Sequence, residues 1–171
     1  MNSDLLAPGL IPGPSVEDIL AGADTTEFRR LVGNDSALQL FNYWSRLLRE
    51  HGLAMKQQFD PLEVPALLSN IYIEEWDPEE RQSRMRLMGE DLKAVWNEDV
   101  IGLRTDDFVR GDVNALWKQS DRIVYFENRT AILAYNMEYL DRPHCVLRDL
   151  TLPMQDHQGN RFAIGYIWQE H

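Results

Sequence analysis

Cysteine is almost missing from this sequence: Cys145 is the only one in 171 residues. A single thiol can form neither an internal disulfide nor a multi-thiolate metal site, so a reducing, cytoplasmic setting is the expectation. Positive charge is also scarce. Lys and Arg total 17 against 28 Asp and Glu, a formal net charge of -11. Binding to a polyanion needs concentrated positive charge, so neither nucleic acid nor an anionic membrane surface is expected as a partner. No stretch approaches the roughly 20 apolar residues of a membrane span, and no basic segment leads into an apolar run at the N-terminus. Gly-x-Ser-x-Gly elbows, phosphate-cradling glycine loops and dinucleotide fingerprints are lacking too. What is present, 44% hydrophobic and 26% charged residues, is the balance of one ordinary globular domain.

Proline and glycine crowd the segment ending Ala7-Pro8-Gly9-Leu10-Ile11-Pro12-Gly13-Pro14 too densely for a helix or a central strand. Residues 1–34 are therefore read as a flexible leader with short helical turns, started by Ser15 with Asp18 and by Asp24 and Thr25, and residues 35–171 as a single domain. From Ser36 to Gly52, Ala37, Leu40, Phe41, Trp44, Leu47 and Leu48 recur at helical spacing, an amphipathic helix with an aromatic stripe. Pro61 and Pro65 permit only a short or broken helix after it. The period then becomes two: Asn70 to Trp76 and Arg84 to Met88 read as strands joined by the turn-rich Asp77 to Gln82. Short helices around Leu92 to Trp96 and Thr105 to Phe108 follow, then a longer one after Asp112. Three more strands are expected, near 131–139, 145–153 and 161–168. Segregated strands and helices indicate an α+β domain whose antiparallel sheet is covered by the middle helices.

Tyr43-Trp44, Phe59-Asp60-Pro61-Leu62-Glu63-Val64-Pro65, Asn70-Ile71-Tyr72-Ile73, Arg84-Met85-Arg86-Leu87-Met88-Gly89, Ile101-Gly102-Leu103, Leu150-Thr151-Leu152-Pro153-Met154 and Ile164-Gly165-Tyr166 fall in an order that resembles a PAS domain. The resemblance spans about residues 41–167 and is closest to a bacterial subfamily with a Tyr-Trp helix ahead of the core. It implies a PAS-like five-stranded antiparallel sheet with short helices on one face and an added N-terminal helix. It also implies a sensory or protein-interaction module rather than a catalyst. With the sequence ending at His171, directly after the last expected strand, a stand-alone module that signals by binding a partner protein is the expectation. The cofactor is left unknown. The flavin-photosensor motif is missing, and no histidine lies between Asp112 and Asn128, where a haem ligand would sit.

In such a domain Met88, Trp96, Phe108, Trp117 and Tyr125 would surround the core cavity, either lining a pocket for a small apolar or aromatic ligand or simply packing it. Arg86 would orient an anionic ligand or pair with a surface carboxylate. Phe41, Trp44 and Leu48 would form an apolar patch if left in water, so they are the expected homodimer interface. The acidic run Glu74, Glu75, Asp77, Glu79 and Glu80 reads as a solvated turn in preference to a cation or acid–base site. Histidines 51, 144, 157 and 171 sit at a helix end, in turns and at the terminus, where solvent exposure is the default, and no metal is expected. The alternative function is a small α+β enzyme that uses buried polar residues as acid or base, and converging ionisable side chains with shifted titration would favour it.

Overall fold

A computed structural model describes residues 9–170. Its centre is a six-stranded antiparallel sheet in the order β1-β4-β5-β6-β2-β3. The strands are β1 (Gly9–Ser15), β2 (Ile71–Asp77), β3 (Gln82–Met88), β4 (Arg129–Met137), β5 (Arg142–Gln155) and β6 (Arg161–Gln169). Helices α1 (Val16–Leu20), α2 (Thr26–Val32) and α3 (Asp35–His51) precede β2, and α4 (Glu90–Trp96), α5 (Thr105–Phe108) and α6 (Gly111–Asp121) lie between β3 and β4. The α+β reading holds, with six strands in place of five.

The additional strand is β1. Within the expected leader, Gly9–Ser15 is an edge strand paired with β4, from Gly9 opposite Ala134 to Ser15 opposite Arg129, and α1 and α2 follow it. Pro12 and Pro14 are tolerated because an edge strand has one side free of ladder bonds, and the register shifts between Pro12 and Ser15. Thr130 Oγ1 donates to the Pro14 carbonyl at 2.9 Å, and Arg129 Nε to that of Gly13 at 3.1 Å. Residues 1–8 of the leader and His171 lie outside the described residues. Ser15 and Asp18 do form a capping box at the start of α1.

Both faces of the sheet are covered. Ile71, Ile73, Ile132, Leu150, Leu152, Phe162, Ile164 and Tyr166 pack with α1, α2 and α3 in one core cluster. On the other face Tyr72, Ala131, Leu133, Tyr135, Leu147, Ala163 and Ile167 pack with α4, α5 and α6. Two covered faces explain why β5 is continuously buried from Leu147 to Met154, where a half-solvated strand would alternate. Helix α3 is capped by Asn34, whose side chain accepts from the Ala37 amide at 2.9 Å, and it stops at Gly52, where φ is 74°. Its aromatic stripe faces the sheet, and Trp44 Nε1 donates to the Pro153 carbonyl at 2.8 Å. Phe41, Trp44 and Leu48 are buried within this chain. The expectation that they meet a second subunit rested on their being left in water, and the sheet covers them instead.

After α3 the chain passes through 3-10 turns at Lys56–Gln58, Pro61–Glu63 and Pro65–Asn70, the last two each opening on a proline. At its far end α6 runs into one π-helical turn, Arg122–Phe126.

Candidate functional site

Period-two alternation on β2 sends Tyr72, Glu74 and Trp76 to the face covered by the middle helices, and on β5 it does the same for Leu147, Asp149 and Thr151. Opposite them α6 contributes Trp117, Ser120 and Asp121, and the π turn contributes Tyr125. Three carboxyl groups therefore meet inside the protein. Glu74 is 5% exposed, Asp121 6% and Asp149 1%.

The polar atoms form two partly separate networks. Tyr72 Oη donates to Asp149 Oδ1 at 2.9 Å and shares a 2.9 Å hydrogen bond with Thr151 Oγ1, which itself donates to Asp149 Oδ1 at 3.2 Å. Ser83 Oγ donates to Glu74 Oε2 at 3.0 Å and lies 2.9 Å from Thr105 Oγ1. Between them is a small cavity of about 10 Å³ lined by Tyr72, Glu74, Trp117, Ser120, Asp121, Leu133, Asp149 and Thr151. It has room for about one water molecule. Asp121 Oδ2, Tyr125 Oη, Tyr135 Oη and Trp117 Nε1 are buried without a hydrogen-bond partner among the described residues. Groups of this kind are ordinarily satisfied by enclosed water or by a proton.

Among the described residues no cationic side chain lines this cavity. An unpaired carboxylate in a dry interior is costly, so burial favours the neutral acid. Burial accordingly pushes the Glu74 carboxyl up to about 7, against the opposing hydrogen bond from Ser83. It pushes Asp149 up to about 8, helped by the nearby Glu74 charge and opposed by the bond from Tyr72. Asp121 is raised well above the usual carboxylate range by burial and by Glu74, and the Tyr72, Tyr125 and Tyr135 phenols are raised for the same first reason. The arrangement can store protons that leave near or above neutral pH. Among the described residues no three His, Cys, Asp or Glu side chains are placed to hold a metal ion.

Of the residues expected at a pocket, Met88, Trp96, Phe108, Trp117 and Tyr125 all lie in the core cluster on this face. They pack on one another: Trp117 meets Trp96 at 6.1 Å, Phe108 at 5.8 Å and Tyr135 at 6.1 Å between ring centroids. The rings thus occupy the space an apolar ligand would need. Arg86 is outside this group. It is exposed on β3 and ion-paired with Glu75 at 2.7 Å, which is the surface pairing weighed from the sequence. Glu74 corrects the reading of the acidic run: only its neighbours form a solvated turn, because Glu74 shares the inward face of Tyr72. Sequence reasoning missed Asp121 and Asp149 as well. Asp121 follows Trp117 by four residues on one helix face, and Asp149 sits two residues from Leu147 and Thr151 in an apolar strand. Both signals were available.

An antiparallel sheet with helices packed on both faces, and a small polar cavity between the sheet and its middle helices, defines an α+β domain. The chain belongs to the PAS domain family, whose profile matches residues 32–167, from the end of α2 to β6. No curated protein and no solved structure matches it.

Proposed function

We propose that this chain is a non-catalytic regulatory module that passes its state to another protein, with the middle helices as the responsive layer. The observation that carries this reading is the nearly closed core: about 10 Å³ of internal space, rimmed by three carboxyl groups and filled elsewhere by Trp96, Phe108 and Trp117. A change of charge in that core alters the packing of α6 against the sheet, and the outer surface of the helices presents the change to a partner. Acid–base catalysis is the second reading, favoured by the same convergent carboxyl groups. It requires a substrate to reach them, and a cavity the size of one water does not admit one.

Photo-crosslinking in cells from Ile101, an exposed apolar residue on the helical layer, tests the first reading. It should yield a discrete adduct with another protein, one that is lost when the probe is moved to the solvated turn at Glu79. Equal labelling from both positions, or no adduct from either, would count against the proposal.

A further inference from the structure

A larger cavity, about 450 Å³, opens to solvent on the other side of Asp121 and is lined by Trp76, Arg81, Lys118, Asp121, Arg122 and Phe126. Its size falls in the range of small-molecule sites. In a molecule of net charge -11, a wall carrying three cations stands out. The one acid in the wall is Asp121, whose carboxyl burial raises well above the usual carboxylate range. Other nearby acids are engaged: Asp106 holds Lys118 at 2.7 Å, and Glu80 holds Arg104 at 3.0 Å. Glu127 approaches Arg122 only at 4.0 Å, and Arg81 forms no ion pair among the described residues. Two guanidinium groups are therefore available.

The apolar part of the wall has a definite shape. Phe126 is 55% exposed, and its ring stands at 85° to that of Trp76 with centroids 5.2 Å apart, which makes an aromatic corner. Arg161 lies 4.9 Å from the Phe126 ring centroid. The π turn that carries Arg122 and Phe126 is a rare departure from α-helix, of a kind concentrated at functional sites.

We infer that this cleft is a binding site for a small aromatic anion, its ring held in the Trp76–Phe126 corner and its acidic group held by Arg81 and Arg122. The cleft adjoins the core cavity at Asp121, which lines both, and its ligand contacts come from residues outside that cavity. Guanidinium pairs a carboxylate, sulfonate or phosphate through two parallel hydrogen bonds, and the corner supplies one stacking face and one edge contact.

Naphthalenesulfonate is a suitable probe, with naphthol and methanesulfonate supplying its two halves, titrated by calorimetry and followed in amide and indole NMR spectra. The expected result is saturable binding of naphthalenesulfonate, with shifts centred on the Trp76 indole, Arg81 and Arg122. Each half should bind at least about tenfold more weakly, and the double variant R81E/R122E should lose about tenfold or more in affinity, the worth of one charge-assisted contact. Both substituted residues are exposed, so the variant should keep the wild-type amide dispersion. Shifts centred elsewhere, methanesulfonate or polyphosphate binding as tightly as the aromatic probe, or unchanged affinity in a folded double variant would overturn the assignment.

Discussion

Tyr72 can reach Asp149 and Thr151 because the residue paired with it on β6 is Gly165, which has no side chain to obstruct the ring. A Cβ at Gly165 would overlap the Tyr72 ring directly. Gly165→Ala should therefore displace the tyrosine, break both of its hydrogen bonds and destabilise the protein by about 2–3 kcal/mol, an overpacking cost with unpaired polar atoms added. Denaturant unfolding would measure it, and a midpoint equal to that of the wild type would contradict the contact. At this scale the sequence is only partly legible. Alternation along β2 places Ile71 and Ile73 on one face and Tyr72 on the other, as expected. The identity of the partner across the sheet is not written in any local pattern, so neither the role of Gly165 nor the meeting of Glu74 with Asp121 could be read from spacing.

Elements with a clear period were the legible ones. β2, β3, β5 and β6 alternate or sit between turn residues, and α3 repeats its apolar residues at three and four, so their existence follows from the chain alone. The Ala, Leu and Met residues of β4 suit a helix as well, and long-range pairing with β5 makes it a strand. β1 was hidden by its prolines, which forbid a central strand but not an edge. That position has a consequence: β1 covers the ladder of β4, and removing residues through Ser15 would leave β4 as a bare edge. Such a truncation should self-associate. Light scattering should show a mass for the truncated protein that exceeds that of the full chain and grows with concentration, and a truncated protein that stays in the same state as the full chain at all concentrations would refute the edge-capping role.

For the molecule as a whole, the buried carboxyl groups link stability to pH. Glu74 and Asp149 hold their protons to about 7 and about 8 in the folded state, far above the 4.5 and 3.8 of the free groups. A raised carboxyl pKa means the folded state binds more protons than the unfolded chain, so this contribution is complete below about pH 4 and is lost as pH rises through 7 and 8. Surface acids act oppositely. Asp77 and Asp106, lowered chiefly by hydrogen bonds from the Glu80 amide and from Lys118, stabilise the fold above the usual carboxylate range and lose effect only on acidification. The fold should thus be most stable in mildly acidic solution. Glu74→Gln keeps the size of the side chain and removes one of the titrating protons, so it should flatten the alkaline side of the profile.

Thermal unfolding of the wild type beside Glu74→Gln, from about pH 5 to about pH 9, tests the proton-holding core most directly. The expected result is a wild-type Tm that falls on the order of 5–10 °C across that range, the scale of a few kcal/mol in a chain of this length, with a clearly smaller fall in the variant. A wild-type Tm that is flat or rises toward pH 9, or a variant that follows the wild-type slope, would contradict it.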